Sequence, residues 1–406
     1  MTSATTESDL ATGDRLAKRN ALILASATAI GGAAAPIAIS LGGLTGYYLL
    51  GDDKSLATLP VTGFVLGTAL TTIPAALLAR KVGRRPAYMF ATTMTMVAGA
   101  LAAYSVIQGF FWLFCLGMML SGGANAFTQQ YRFAAADTAS PALRPKVISW
   151  VLIGGVFTGI IGPQTAIFTK DLFDPIPFAG AFTAQIGLGI LAFMILSFVA
   201  IPKPVISPTG KSGRPLFQII GKPKFIVAVA CAIISYALMS LVMTAAPLAM
   251  VACGLSQSDA ALGIQWHVIA MFAPSFFTGH LISRFGAEKV VAFGLFILMA
   301  CAAVALSGLN LANFWIALVL LGIGWNFGFI GGTTMVTATY EPEEQSKVQA
   351  ANDFLVFGFV AMASLMSGAL LNAFGWNTVL ILVFPFSIFC LGLIGWQHLS
   401  NRAQES

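Results

Sequence analysis

The sequence predicts an all-α integral membrane protein whose 12 transmembrane helices form two pseudo-symmetric six-helix bundles, and three observations carry that prediction. The 406-residue chain is 58% hydrophobic and 9% charged, with mean hydropathy +0.87, whereas a soluble domain is about 25% charged. It divides into twelve apolar runs, each of roughly the 20 residues that a ~30 Å hydrocarbon core demands. Its halves also repeat weakly at an offset of roughly 200 residues. The first observation excludes a water-soluble enzyme, because so few charges cannot cover an aqueous surface, while a lipid-facing one is harmed by more of them.

Residues 1–20 are polar and lack the apolar core and cleavage site of a signal peptide, so they read as a cytosolic tail before an uncleaved first span. Spans one to three then fall near 21–45, 57–79 and 87–107, separated by the acidic loop at Asp52 and Asp53 and by the basic turn RKVGRR. Spans four to six follow near 111–136, 147–169 and 179–201, interrupted by ALRPK and by a loop holding Asp171 and Asp174. Residues 202–224, rich in Pro, Gly and Lys, form a long central loop and the boundary between a bundle at 21–201 and one at 225–398. Spans seven to twelve lie near 225–250, 261–283, 290–308, 314–338, 348–371 and 378–398, leaving a cytosolic tail at 399–406.

An even number of spans puts both termini on one side. With that side inside, cytosolic segments hold 18 of the 21 Lys and Arg, and the outer loops only Lys54 and Lys170. This is the positive-inside pattern of a plasma-membrane protein with cytoplasmic termini. A net charge of +6 so distributed points to the bilayer and away from nucleic acid. Cys115, Cys231, Cys301 and Cys390 lie inside apolar runs, Cys253 near a segment end, and His267, His280 and His398 far apart. Neither disulfides, a metal nor another cofactor is expected.

The repeat matches Phe111 and Trp112 with Phe314 and Trp315, Gly123 and Asn125 with Gly324 and Asn326, Pro141 with Pro342, and Lys146 and Val147 with Lys347 and Val348. Identities between halves of the same orientation imply a pseudo-two-fold axis along the membrane normal, the symmetry of a rocking transporter. The turn ARKVGRRP, the basic central loop and the six-plus-six spans resemble the major facilitator superfamily, in whose turn signature Gly83, Arg84 and Arg85 fit. Ala76 stands where the signature has its first glycine, and Arg80 where it has aspartate. GHLISRFG echoes the turn in the second half, with Ser283 at the acidic position. QYRFAAADTASP, QWHVIAMFAPSFFTGHLISRFG and LGIGWNFGFIGGTT together resemble a bacterial branch of the superfamily that includes riboflavin importers. The resemblance implies a monomeric secondary transporter that moves a small organic solute by alternating access, as a proton symporter.

Intramembrane polar residues are functional candidates by default. Asn125 and Asn326 fall near the middle of spans four and ten, which line the cavity in the family, so each either binds solute or holds an interhelical crossing. Trp325 can stack on a flat ring or serve packing, and Gln164 and Tyr236 are further cavity candidates. Of the run Gln129, Gln130, Tyr131 and Arg132, one or two can face a cavity. Arg132 either grips an anionic or carbonyl-bearing solute, pairs with Asp137, or reaches to the headgroups. His267 suits proton coupling or solute binding, or is a packing residue. Asp353 is a carrier for the coupling proton, a gate partner for Arg80 or Arg84, or an acid favoured at a helix N-terminus. The inner gate is assigned to Arg80, Arg84, Arg85 and Asp353. Gly155, Gly159 and Gly162 of span five read as helix-packing positions.

Import of riboflavin or a similar aromatic solute is the expected function. Proton-coupled efflux of amphipathic compounds is the alternative within the same fold, and a non-transporting membrane sensor or enzyme the alternative from another class. No nucleophile elbow, Walker lysine or nucleotide fingerprint is present to supply enzymatic chemistry.

Overall fold

A computed structural model describes residues 7–137, 139–140, 143–201, 213–341 and 344–405. Most of the central loop (202–212) and the repeat pair Pro141 and Pro342 lie outside them. Among the described residues all regular structure is helical. Span one is α1 (Glu7–Gly31) and α2 (Ala34–Leu49), span two α3 (Leu59–Val82) and span three α4 (Arg84–Gln108). Span four is α5 (Phe111–Thr128) with α6 (Tyr131–Ala136), span five α7 (Arg144–Thr169) and span six α8 (Ala179–Leu196). After the short α9 (Leu216–Ile220) comes span seven, α10 (Pro223–Ala252), and then span eight, α11 (Gln257–Phe272) with α12 (Ser275–Phe285). Spans nine to twelve are α13 (Ala287–Leu306), α14 (Leu311–Thr337), α15 (Gln345–Phe374), and α16 (Trp376–Ile381) with α17 (Val383–Glu405). Eleven stretches among the described residues are long and apolar enough to cross a membrane, and the bent α11–α12 pair makes twelve.

The N-terminal segment departs from the expected tail, since α1 already begins at Glu7. Ala17, Ala21, Leu24 and Ala27 form a fully buried stripe at helical spacing. The polar residues before the span are tied down as well. Asp14 accepts bonds from Ser140 N and Oγ at 2.8 and 3.0 Å, and the Asn20 amide exchanges two bonds with the backbone of Ala200. At the other end, α17 carries the helix through to Glu405.

The pseudo-symmetry is visible in the turns. Gly83 (φ 102°) joins α3 to α4 and Gly286 (φ 87°) joins α12 to α13, so both copies of the basic turn use a conformation that favours glycine. Where the central loop re-enters the described chain, Arg214 grips Glu344 at the start of α15 through Nε and Nη2 at 2.7 and 2.6 Å, and Lys347 Nζ donates to the Arg214 carbonyl. The Arg214 hydrogen bond holds the Glu344 carboxyl well below the usual carboxylate range.

The cores show how the halves meet. On the membrane side remote from the termini, Ile37, Leu41, Phe64, Phe114 and Phe182 of the first half pack into one cluster with Leu248 and Leu371 of the second. On the termini side, the cluster of Leu24, Tyr88, Tyr131, Val147 and Leu196 is drawn from the first half alone among the described residues. The pairs α7–α11, α3–α15 and α2–α10 join the halves. Gly155 and Gly159 make the α7–α11 approach possible: a Cβ on them would lie 3.1 Å from the Phe272 ring and 2.9 Å from Val268. Their expected packing role holds, and its partner is the opposite half. The halves thus close on the far side and part toward the termini.

Candidate functional site

The termini-side cleft is lined from both halves. Span four does not run through as one helix but breaks at Gln129 and Gln130, which separates the four polar residues by environment. Gln129 is exposed. Gln130 turns inward to the Thr72 carbonyl at 3.3 Å, and Tyr131 is buried against Tyr88 with ring centroids 4.6 Å apart. Arg132 emerges half-buried, its Nε sealed from water without a hydrogen-bond partner. Its charge lies within electrostatic reach of Asp353 on α15 and Tyr236 on α10, both in the opposite half.

Asp137 is therefore not the partner of Arg132. It pairs instead with Arg84 at 3.0 Å, and Arg84 also reaches the Tyr88 hydroxyl at 3.4 Å. The acid missing from position 80 of the turn signature is thus supplied from the end of span four. This corrects the expectation that Asp353 pairs with Arg80 or Arg84, for Arg84 is engaged inside its own half. Arg80 and Arg85 are exposed. Asp353 accepts a bond from Asn352 Nδ2 at 3.1 Å.

Behind Tyr236 stands an aromatic cluster. The Tyr236 ring lies edge-on to Trp325, Phe329 and Phe357 at 5.3, 4.9 and 5.9 Å, and Trp325 stacks on Phe329 at 5.2 Å with a 19° interplanar angle. Tyr236 and Phe329 also border the small core of Ala232, Val356 and Val360, against which Val65 of the first half packs. Trp325 Nε1 is buried and unpartnered. A buried donor without an acceptor costs roughly 1–3 kcal/mol, so Trp325 Nε1, whose ring packs on Tyr236, and Arg132 Nε, whose charge reaches the same Tyr236, are donors that an acceptor-bearing ligand can satisfy.

Other candidates have structural employment. Asn326 is fully buried: its Oδ1 accepts from Thr278 Oγ1 at 2.6 Å, and its Nδ2 donates to the Met271 carbonyl and Ser275 Oγ at 2.6 and 2.8 Å. These partners span the 43° bend between α11 and α12, where Pro274 removes a backbone donor. The side chain clamps the break and has no face toward the cleft, so the crossing role prevails over solute binding. Asn125 shows the repeat in a weaker form, with one bond to Thr68 Oγ1 at 3.4 Å. Asn326→Leu is expected to destabilise the protein by about 2–4 kcal/mol and Asn125→Leu by about 1 kcal/mol or less, read as thermal unfolding of the purified chains. Equal effects would sink the clamp.

His267 is also fully buried, its Nδ1 donating to the Leu318 carbonyl at 2.8 Å and its Nε2 left without a partner, so it ties α11 to α14. Gln164 reaches across the closed side, where its Nε2 donates to Gln265 Oε1 at 2.8 Å. Thr62 Oγ1 also bonds across that side, to Ser364 Oγ at 3.2 Å. The sequence reading did not single out Phe329, Phe357, Gln265, Thr62 or Ser364. Phe329 lies one helical turn beyond Trp325 and was legible as its neighbour. The others are brought in by different helices, with no local signal.

A model of the Major Facilitator Superfamily matches residues 20–266 and 228–404. The chain is 50% identical over 371 residues to the riboflavin transporter RfnT of Brucella anthropi, covering 91% of this chain and 93% of that one. It is 26% identical to the uncharacterized transporter YdeG of Bacillus subtilis, over 94% and 93% of the two chains. The crystal structure of a variant of the nucleoside transporter NupG superposes with a TM-score of 0.74 at 12% identity, covering 93% of this chain and 98% of that one. Twelve spans in two repeated halves, closed on one side and parted on the other, agree with these matches: the chain belongs to the Major Facilitator Superfamily and is a multi-pass membrane transporter, not an enzyme.

Proposed function

We propose that the protein imports riboflavin, or a flat aromatic solute of the same kind, by proton-coupled alternating access between a bundle at 21–201 and one at 225–398. The observation that carries the substrate is the pairing of the Tyr236–Trp325–Phe329–Phe357 cluster with the two unpartnered donors, Trp325 Nε1 and Arg132 Nε. An isoalloxazine ring offers a π-face to such a platform and carbonyl oxygens to such donors. The half-identical relative bearing the name of a riboflavin transporter supports the same assignment.

In this reading the chain lies in the inner membrane as a monomer with cytoplasmic termini, so the cleft opens inward. Asn125 and Gln129 border the solute on the first half. Asp353, the carboxylate across from Arg132, carries the coupling proton. Its charge and that of Arg132 are exchanged for contacts with solute and proton as the mouth closes.

The test is uptake of labelled riboflavin by cells expressing the chain, with and without a protonophore. Saturable, protonophore-sensitive uptake above empty cells is expected. Trp325→Ala should raise the half-saturating concentration about tenfold, as loss of one stacking partner implies, while Trp325→Phe keeps most of the affinity. Absence of uptake above the empty-cell level would remove riboflavin import.

A further inference from the structure

A second cavity lies apart from the cleft, inside the termini-side end of the second half. Its volume is about 770 Å³, and α10, α12, α13, α14 and α17 contribute to its walls. Phe285 and Ile394 belong to its apolar wall, and Lys224, Glu288, Lys289 and Gln397 to its polar rim. Lys224 sits in the first turn of α10 and Lys289 in the first turn of α13, so two helix N-termini and two ammonium groups converge on one space. Neither lysine takes part in an ion pair among the described residues.

Gln397 supplies the independent sign of a ligand. Its side chain is buried at 7% exposure. Nε2 donates to Glu288 Oε1 at 2.8 Å, while its own Oε1 is sealed from water with no donor. The rim therefore combines cations for an anion with acceptors, Gln397 Oε1 and the Glu288 carboxylate, for a hydrogen-bond donor. Beside both lies an apolar wall at the termini-side ends of the spanning helices.

We propose that this cavity seats a phospholipid of the termini-side leaflet whose head carries an N–H or O–H donor beside its phosphate. The phosphate lies between Lys224 and Lys289 at the two helix N-termini. The head's amine or hydroxyl donates to Gln397 Oε1 and Glu288, and an acyl chain covers Phe285 and Ile394. Choline lipids share the phosphate and lack the donor, so the site discriminates against them. A seated lipid would brace α13 and α17 against α10.

The test uses the purified full chain, delipidated in detergent and titrated separately with phosphatidylglycerol, phosphatidylethanolamine, phosphatidylcholine and glycerol 3-phosphate, with bound molecules counted by native mass spectrometry. The glycerol and ethanolamine lipids should be retained in preference to the choline lipid. Lys224→Ala and Lys289→Ala should each weaken retention about fivefold, and Gln397→Leu should abolish the preference over choline while leaving phosphate-dependent binding. Gln397→Glu gives a second reading that keeps a polar side chain in place: it should favour the ethanolamine head over the glycerol head. Equal retention of all three lipids, or preferences unchanged in the variants, would overturn the proposal. So would saturation by glycerol 3-phosphate that displaces the lipids, which would make the occupant a soluble phosphate ester.

Discussion

Oxidation of a Thr62→Cys/Ser364→Cys variant is expected to join the two halves covalently and reduce transport to background, with full recovery on adding a thiol reductant. The two native hydroxyl oxygens are 3.2 Å apart across the α3–α15 contact, so thiols at the same positions come within reach of each other. The exposed Cys253 is replaced by serine in the same background to prevent side reactions. The linked form is detected by cutting the chain between the halves and asking whether they still migrate together. The effect should be all-or-none, because alternating access requires the side closed here to open in the other half of the cycle. A linked protein that still transports would show that the far side need not part, and the mechanism would fail with it.

Arg132→Ala and Asp353→Ala are each expected to lower uptake by about two orders of magnitude. Removing one member takes away the opposite charge that the other senses across the halves, and with it the attraction that the inward-facing mouth needs in order to close. The exchanged variant Arg132→Asp/Asp353→Arg should recover part of the uptake, since the two residues interact across the halves by charge. Asp353→Asn separates coupling from passage: exchange of labelled for unlabelled solute should persist while accumulation against a gradient disappears. Uptake within twofold of the parent in both alanine variants would exclude the pair from the cycle. Accumulation preserved in Asp353→Asn would move the coupling proton elsewhere.

Much of the site was legible as a set of residues and little of it as a set of roles. Arg132, Tyr236 and Trp325 are conspicuous because a charge, a phenol or an indole deep in an apolar run is expensive or bulky wherever it falls. Their roles depend on what lies across from them. Asn125 and Asn326 occupy equivalent repeat positions, and each touches a threonine in the second span of its half or that span's counterpart. Only Asn326 meets a helix broken at a proline, and so only it has its amide consumed by the break. His267 and Gln164 were equally plausible cavity residues in one dimension, yet one faces the inside of its bundle and the other the opposing half.

The sequence by itself determined the number of spans, their two-fold repetition and the glycine turns at Gly83 and Gly286. Apolar length, charge and backbone conformation are local properties, and the bilayer acts as a filter on each segment separately. The tertiary structure alone decided that Asp137 belongs to Arg84 and that Asp353 lies within electrostatic reach of Arg132, that the far side is the closed one, and that Tyr236, Trp325, Phe329 and Phe357 form one aromatic cluster. The physical reason is that helix rotation and tilt in a membrane are set by packing against neighbours, because lipid exerts no strong preference among apolar faces. Which side chain meets which is therefore written in the contacts between helices, and no single helix contains it.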